Sequence, residues 1–495
     1  MSRLGELQEK LRRNDQLVEV NAALLLPRIG GYKASPFSKD LRLYEPPRPS
    51  EFKALWRWWL RVAASAAFKG QRKYDELDVK VEKYLGSTKQ RSLFTINVEV
   101  DSREDLDDLV SAVTCILEEY KRVKRNRGDE LKELLDNLKR YYYSCQQKKN
   151  FPKTISLEKL REVFECVNNT MERIPRYKLL LMGANLEKKI EEAIAFYLAC
   201  NGCRESTTMD CRIPLRVKLF LDVSHSKISA NELRFCVATF LLSMVLGGVG
   251  SITKRGFGSI IVSDVKFNDE YEWLREEKKM FNNILGAQDA QQLKANIEEY
   301  VRHVSNLAAS IYSSNREKIP EGMPKVPTLL PERYFKIEVL DCSNKDTVSI
   351  LECIGNATLK QKWKEKEKAS ATSLYTWILG LPRAKLSKKD NKLIVETGYF
   401  LYGKTEDAGR RASAIGFKVW EGQNKKYIII YGFLSNDWPV KELYLRRFPR
   451  KAGEAVLESK ELKGKNPEEA LEIVFQKAFQ TTRDLVEKCC GSRRG

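Results

Sequence analysis

GGVGSITKRGFGSI, residues 247–260, sets two Gly-x-Gly pairs (Gly248 and Gly250, Gly256 and Gly258) around Lys254 and Arg255. Glycines beside cations suggest a phosphate cradle, and two nucleotide-binding patterns are tested first. The loop G-x-x-x-x-G-K-[ST] fails because Phe257 follows Gly256. The dinucleotide pattern G-x-G-x-x-G fails because Thr253 stands where its third glycine belongs. Both patterns also run from a strand into a helix, whose N-terminus holds the phosphates. Here the order is reversed. An apolar run at about 229–246 reads as a helix capped by Ser229, and a strand follows near 258–266. The stretch is then a flexible strip offering backbone N–H groups, Ser251, Lys254 and Arg255 to a phosphodiester backbone. It reads equally well as a helix stop with a tight turn, and nothing within it separates the two.

The helix-to-strand order also decides the fold. Residues 16–26 (QLVEVNAALLL) read as a buried strand that ends at Pro27. Ser50 stands where an N-cap belongs, and EFKALWRWWLRVAASAAFKG carries helical period to Gly70. Residues 92–100 and 213–223 (IPLRVKLFLDV) alternate like strands. Between them, from about 101 to 210, the chain is charged and helix-favouring, which reads as a helical insertion. With that insertion set aside, the order is strand–helix–strand twice over, the split βαβ of a ferredoxin-like domain spanning 1–268. Residues 269–331 read as a helical and Pro-rich connector. A second unit at 332–495 has strands near 333–340, 412–420 and 426–433 and a final helix near 467–488. The expected fold class is α+β.

The chain has 495 residues, with 87 Lys and Arg against 67 Asp and Glu, a formal charge of +20. That excess favours a polyanionic partner, although a soluble protein rich in Lys and Glu has a similar composition. The N-terminus is polar, and no apolar run approaches the roughly 18 residues of a membrane span. A cytoplasmic protein without membrane contact is expected. Eleven cysteines in a chain of this length do not suggest a disulfide scaffold.

On the 51–69 helix, Phe52, Leu55, Trp59, Val62, Ala63 and Ala66 form a core stripe. Lys53, Arg57 and Arg61, at i, i+4 and i+8, line another face, where like charges repel mildly unless an anion neutralises them. Trp56 and Trp58 lie beside the stripe, each a candidate base-stacking ring or a core residue.

RPSEFKALWRWWLR (48–61) resembles a segment of the first subunit of the type III-B CRISPR (Cmr) RNA-silencing complex. Arg48, Pro49, Ser50, Lys53, Arg57, Trp59 and Arg61 fall in register. The 247–260 stretch resembles the glycine-rich loop of the same family, the signature of the RAMP superfamily. LGLPR (379–383) and GRRASAIGF (409–417) are similar to two further segments. Ala54, Ile252 and Ala414 depart from the family pattern, and the insertion lies outside the resemblance. The resemblance implies two ferredoxin-like (RRM-like) folds in one chain and no target cleavage by this subunit. It also implies a place beside other Cmr subunits on the 3′ part of a guide RNA and its target RNA. The residues expected to hold RNA are Arg48, Lys53, Arg57, Trp58, Arg61, Gly248, Gly250, Ser251, Lys254, Arg255, Gly256, Gly258, Arg410 and Arg411.

No catalytic residue, metal or cofactor is expected. The two histidines, His225 and His303, have no partners evident in sequence, and no nucleophile–base pair is visible. Two alternatives stand beside this reading: a metal-independent endoribonuclease of the same superfamily, and a scaffold meeting only protein. Cys200, Cys203 and Cys211 with His225 could supply four zinc ligands, at irregular spacing, or form a buried or disulfide-paired set. KRVKRNR (121–127) and RRFPRK (446–451) read as solvated basic surface or as an extension of an RNA track.

Overall fold

The computed structural model describes residues 16–26, 47–100, 106–123, 130–169, 171–175, parts of 186–197, 212–221, 228–250, 252–312, 322–330, 333–367, 375–381, 383–389, 392–401, 411–446 and 454–491. Structural statements refer to these.

Four strands build the first sheet: β1 (Gln16–Leu25), β2 (Phe94–Val100), β3 (Arg212–Leu221) and β4 (Ser259–Phe267). Their order is β2-β3-β1-β4, and every pairing is antiparallel. Helix α1 (Pro49–Ala67) follows β1, and α2 (Tyr74–Leu85) leads into β2. The insertion between β2 and β3 is helical wherever it is described: α3 (Leu106–Val123), α4 (Glu130–Asp136), α5 (Leu138–Gln146) and α6 (Leu157–Asn169). Helix α7 (Ala230–Leu246) then precedes β4. Ser229 caps it as expected, its side chain accepting from the Glu232 N–H. From Phe235 to Leu246 this α7 is buried on every side and apolar but for Thr239 and Ser243.

The expected connector resolves into two helices, α8 (Arg275–Leu285) and α9 (Ala290–Tyr312). Beyond them a second sheet has the order β5-β9-β8, formed by β5 (Phe335–Asp341), β8 (Ile415–Gly422) and β9 (Lys425–Phe433). Helix α10 (Thr347–Ala357) follows β5, α11 (Lys360–Glu367) comes next, and α12 (Pro467–Gly491) closes the chain. A third sheet was not expected from the sequence. It pairs β6 (Arg383–Lys389), β7 (Lys392–Leu401), β10 (Leu443–Arg446) and β11 (Glu454–Ala455) in the order β11-β10-β7-β6.

Helix α1 lies between the first two sheets. Trp56 and Trp59 are fully buried on different sides. Trp56 packs edge-on to Phe94 and Phe240, and its indole N–H faces the Cys236 carbonyl (3.1 Å) and Thr239 Oγ1 (3.0 Å). Trp59 packs against Tyr431 and Phe433 of β9. Trp56 is thus a core residue with a satisfied N–H, which removes it as a stacking candidate.

The cysteines depart from expectation. Cys115 is bonded to Cys145, Cys342 to Cys490 and Cys353 to Cys489. Cys166 is also disulfide-bonded, and Cys236 is free and buried. The Cys342–Cys490 and Cys353–Cys489 pairs span 148 and 136 residues, so spacing in sequence conceals them. Cys200, Cys203 and Cys211 lie outside the described residues. Among the described residues no helix is long and apolar enough to cross a membrane.

Candidate nucleic-acid interface

Helix α1 begins two residues earlier than the sequence suggests. Pro49 takes the first helical position, where its fixed φ and missing N–H cost nothing, and Arg48 rather than Ser50 is the N-cap. The Arg48 N–H donates to Glu51 Oε2 at 3.0 Å. Lys53, Arg57 and Arg61 do share a face, but that face runs along α2. Arg57 Nη2 donates to the carbonyls of Leu85 (3.1 Å) and Gly86 (2.7 Å), serving the C-terminal end of α2. Arg61 Nε lies 2.9 Å from Asp78 Oδ1. These two cations are engaged by protein, which corrects the expectation of an open basic row. Lys53 is half-buried and has no ion-pair partner among the described residues. Burial, then the neighbouring Arg57 charge, holds its pKa below the ordinary lysine value.

The glycine-rich loop is pinned rather than flexible. Gly247 N donates to Ser243 O (2.9 Å), Val249 N to Gly258 O (2.9 Å), and Gly258 N to Leu25 O (2.6 Å). Gly248 forms a bridge with Ser259. Gly258 has φ +62°, and a Cβ there would sit 1.9 Å from the Val249 carbonyl oxygen. Gly256, at φ +84°, would drive a Cβ to 2.8 Å from Ile354 Cδ1 of α10. Only glycine fits at both. Ile252, the residue that departs from the family pattern, holds φ +64°, a strained conformation for a β-branched side chain. Gly250 reaches solvent, whereas Gly256, Phe257 and Gly258 are buried against the second half of the chain.

The loop's cations point inward, which corrects a second expectation. Lys254 Nζ donates to the Ser413 carbonyl at 2.6 Å and lies 5.4 Å from the centre of the Trp58 ring. Burial, the Arg411 charge and the Arg255 charge together lower its pKa to about 7, with Asp437 opposing them. Arg255 donates to the Leu379 carbonyl, to Lys254 O (3.2 Å) and, at 3.5 Å, to Ser413 Oγ and Ile415 O. Arg411 is ion-paired with Asp437, and its guanidinium lies 4.9 Å from the Trp438 ring centre. Its main chain pairs with Leu381 in both directions (2.8 and 3.2 Å). Tyr74 of α2 donates to the same Asp437 at 3.0 Å, and burial, then that carboxylate, pushes its pKa up. Trp58 is half-buried, packed edge-on to Phe433 with its other contacts to Trp59 and Lys254. Ser251 and Arg410 lie outside the described residues.

All four segments quoted for the resemblance therefore meet: α1 through Trp58, the glycine loop, Leu379–Leu381 and Arg411–Ile415. Arg411 and Lys254 lie near one carboxylate, Asp437, and Arg255 lies beside Lys254. Sequence reasoning did not single out Ser413 within the quoted 409–417 segment, and it missed Asp437 and Tyr74, which carry no local signal. It also missed Lys418, a buried lysine of β8 whose Nζ donates to Met244 O (2.8 Å) and Gly247 O (2.6 Å) at the end of α7. That contact, and Val419 N donating to Ser259 Oγ (3.0 Å), fixes the second sheet to the start of the loop.

His303 is held by protein: its Nε2 lies 2.8 Å from Oε1 of the fully buried Glu277, which also receives Arg234 at 3.5 Å. His225 lies outside the described residues.

No protein-family profile matches the chain. A curated relative from Saccharolobus solfataricus, the CRISPR system CMR subunit Cmr1, is 22% identical over 272 residues, or 51% of this chain. The match spans only 56% of that relative's length. Among solved structures, a chain of the type III-B Cmr-β complex bound to cognate target RNA and AMPPnP is similar in fold. Its TM-score is 0.53 at 18% identity, covering 94% of this chain and 100% of that one. A chain of the same complex bound to cognate target RNA gives 0.53 at 17% identity with the same coverage. Over about half its length this chain is similar in sequence to the CRISPR system CMR subunit Cmr1, and in fold it is similar to a chain of the type III-B Cmr-β complex.

Proposed function

We propose that the chain is a non-catalytic RNA-binding subunit of a type III-B effector ribonucleoprotein, working beside other Cmr subunits on the guide RNA and its paired target. The observation that carries this is the convergence of the motif segments on one site, where Lys254, Arg255 and Arg411 come together beside Asp437. In this reading Lys254 and Arg255 position the loop, since their donors are spent on main-chain carbonyls. Arg48, Lys53 and the exposed Gly250 end of the loop meet phosphate, and Trp58 flanks them. The likeness to a chain of an RNA-bound Cmr-β complex supports the reading. So does the chain's charge of +20. His303, engaged by Glu277, is better suited to holding α7, α8 and α9 together than to acting as a base.

The same reading assigns a ferredoxin-like fold to both halves, 1–268 and 332–495, joined through 269–331. The β2-β3-β1-β4 order supports it for the first half, and β5-β9-β8 repeats three of the four positions in the second.

The test is binding of single-stranded RNA to the full chain at low salt. Arg48→Glu combined with Lys53→Glu is expected to weaken affinity and flatten its salt dependence, roughly 0.7 in log–log slope for each lost phosphate contact. Unchanged affinity would favour the protein-only scaffold. Site-specific cutting of the RNA by the purified chain, abolished by His303→Ala, would favour the endoribonuclease.

A further inference from the structure

From the insertion, which carries none of the quoted sequence motifs, we infer a second single-stranded RNA contact surface on α5 and the turn after it. Residues 139–153 (KRYYYSCQQKKNFPK) contain Lys139, Arg140, Lys148, Lys149 and Lys153 and no Asp or Glu. Helix α5 is two-faced. Leu138, Tyr141, Tyr142 and Cys145 are buried, whereas Lys139, Arg140, Tyr143 and Gln146 are exposed. Position 143 lies four after 139, three after 140 and three before 146, so the four share one face. Lys148, Lys149 and Lys153 of the following turn are exposed as well. Lys139, Arg140, Lys149 and Lys153 have no ion-pair partner among the described residues.

The surface is held rigid from beneath. Cys145 is bonded to Cys115 of α3. Ser144 Oγ donates to Glu119 Oε2 (3.0 Å), and Lys148 Nζ contacts Glu119 Oε1 at 3.0 Å. Glu119 is itself buried and also takes Arg122, so it is not available to the outer cations. The Tyr142 hydroxyl is fixed between Ile155 O (3.0 Å) and Gln146 Nε2 (2.8 Å). Tyr143 projects beside it, 51% exposed. An exposed ring beside Lys139, Arg140, Lys149 and Lys153, which have no ion-pair partner among the described residues, suits an unstacked base over the ring and phosphates on the cations. An acidic protein fits less well. Lysine is depleted in the cores of protein interfaces, and Tyr143 is the large apolar group that 139–153 exposes among the described residues.

The experiment is fluorescence anisotropy of a labelled oligouridylate with the full chain across a salt series. The Lys139→Glu/Arg140→Glu/Lys149→Glu variant is expected to reduce the log–log salt slope by about 2, at roughly 0.7 per lost phosphate contact. Tyr143→Ala, which removes stacking alone, is expected to lower affinity about fivefold or more with the slope unchanged. Circular dichroism matching the unaltered chain keeps both readings on binding. Unchanged slope and affinity in both variants overturn the inference, and loss of polyglutamate binding in its place reassigns the surface to an acidic protein. If these variants bind normally while Arg48→Glu/Lys53→Glu does not, only the second surface is lost. The converse result removes the first site and keeps this one.

Discussion

Lys254 shows how one residue serves both the fold and the field around it. Its ammonium donates to the Ser413 carbonyl and rests on Trp58, with Arg255 and Arg411 close by. Neighbouring cations and burial disfavour the charged form, lowering the pKa from 10.5 to about 7. Between pH 7 and about 10 the unfolded chain therefore holds a proton that the folded chain has released. Stability is expected to rise with pH across that window, and Lys254→Met to flatten the curve of Tm against pH. Lys418, depressed further by burial, acts with the same sign, so a residual slope is expected to remain. A variant curve as steep as the original would mean that Lys254 titrates normally. The sequence made Lys254 conspicuous but not its direction, because Ser413 and Asp437 lie more than 150 positions further along the chain.

At the scale of elements, α1 was legible in period and core stripe but not in its setting. An amphipathic pattern reports one buried face, whereas this helix is covered by α2 and by both sheets, so cations expected in solvent meet helix carbonyls and Asp78. Arg57 and Lys53 then separate in a stability measurement. Arg57→Ala strands two carbonyls at the end of α2 and is expected to cost about 1–3 kcal/mol. Lys53→Ala is expected to stay within about 0.5 kcal/mol. Equal costs in chemical denaturation would contradict the arrangement. The end of α12 makes a second case. Cys489 and Cys490 reach α10 and the turn after β5, across separations of 136 and 148 residues. Replacing either by Ser is expected to lower stability by about 2–5 kcal/mol under oxidising conditions and to change little under strong reductant. Equal stability of variant and unaltered chain when oxidised would show that the bridge does not form.

For the whole molecule, the first sheet's elements, the helical insertion, the second unit's three strands and its last helix were readable from alternation, helical period and glycine or proline stops. The third sheet was not. RAKLSKK carries four cations just after Pro382, KLIVETGYFL is interrupted by Glu396, Thr397 and Gly398, and β10 and β11 are only four and two residues long. The candidate site was legible as a set of motifs but not as a place, since its geometry depends on the second sheet docking against α1 and the glycine loop. The account's central claim is that this meeting point lies against RNA. Ultraviolet crosslinking of the chain to RNA in the assembled ribonucleoprotein, with adducts mapped to peptides, tests it most directly. Adducts are expected within 48–58 and 248–255. Adducts confined to other parts of the chain, or none from a complex that retains its guide RNA, would contradict it.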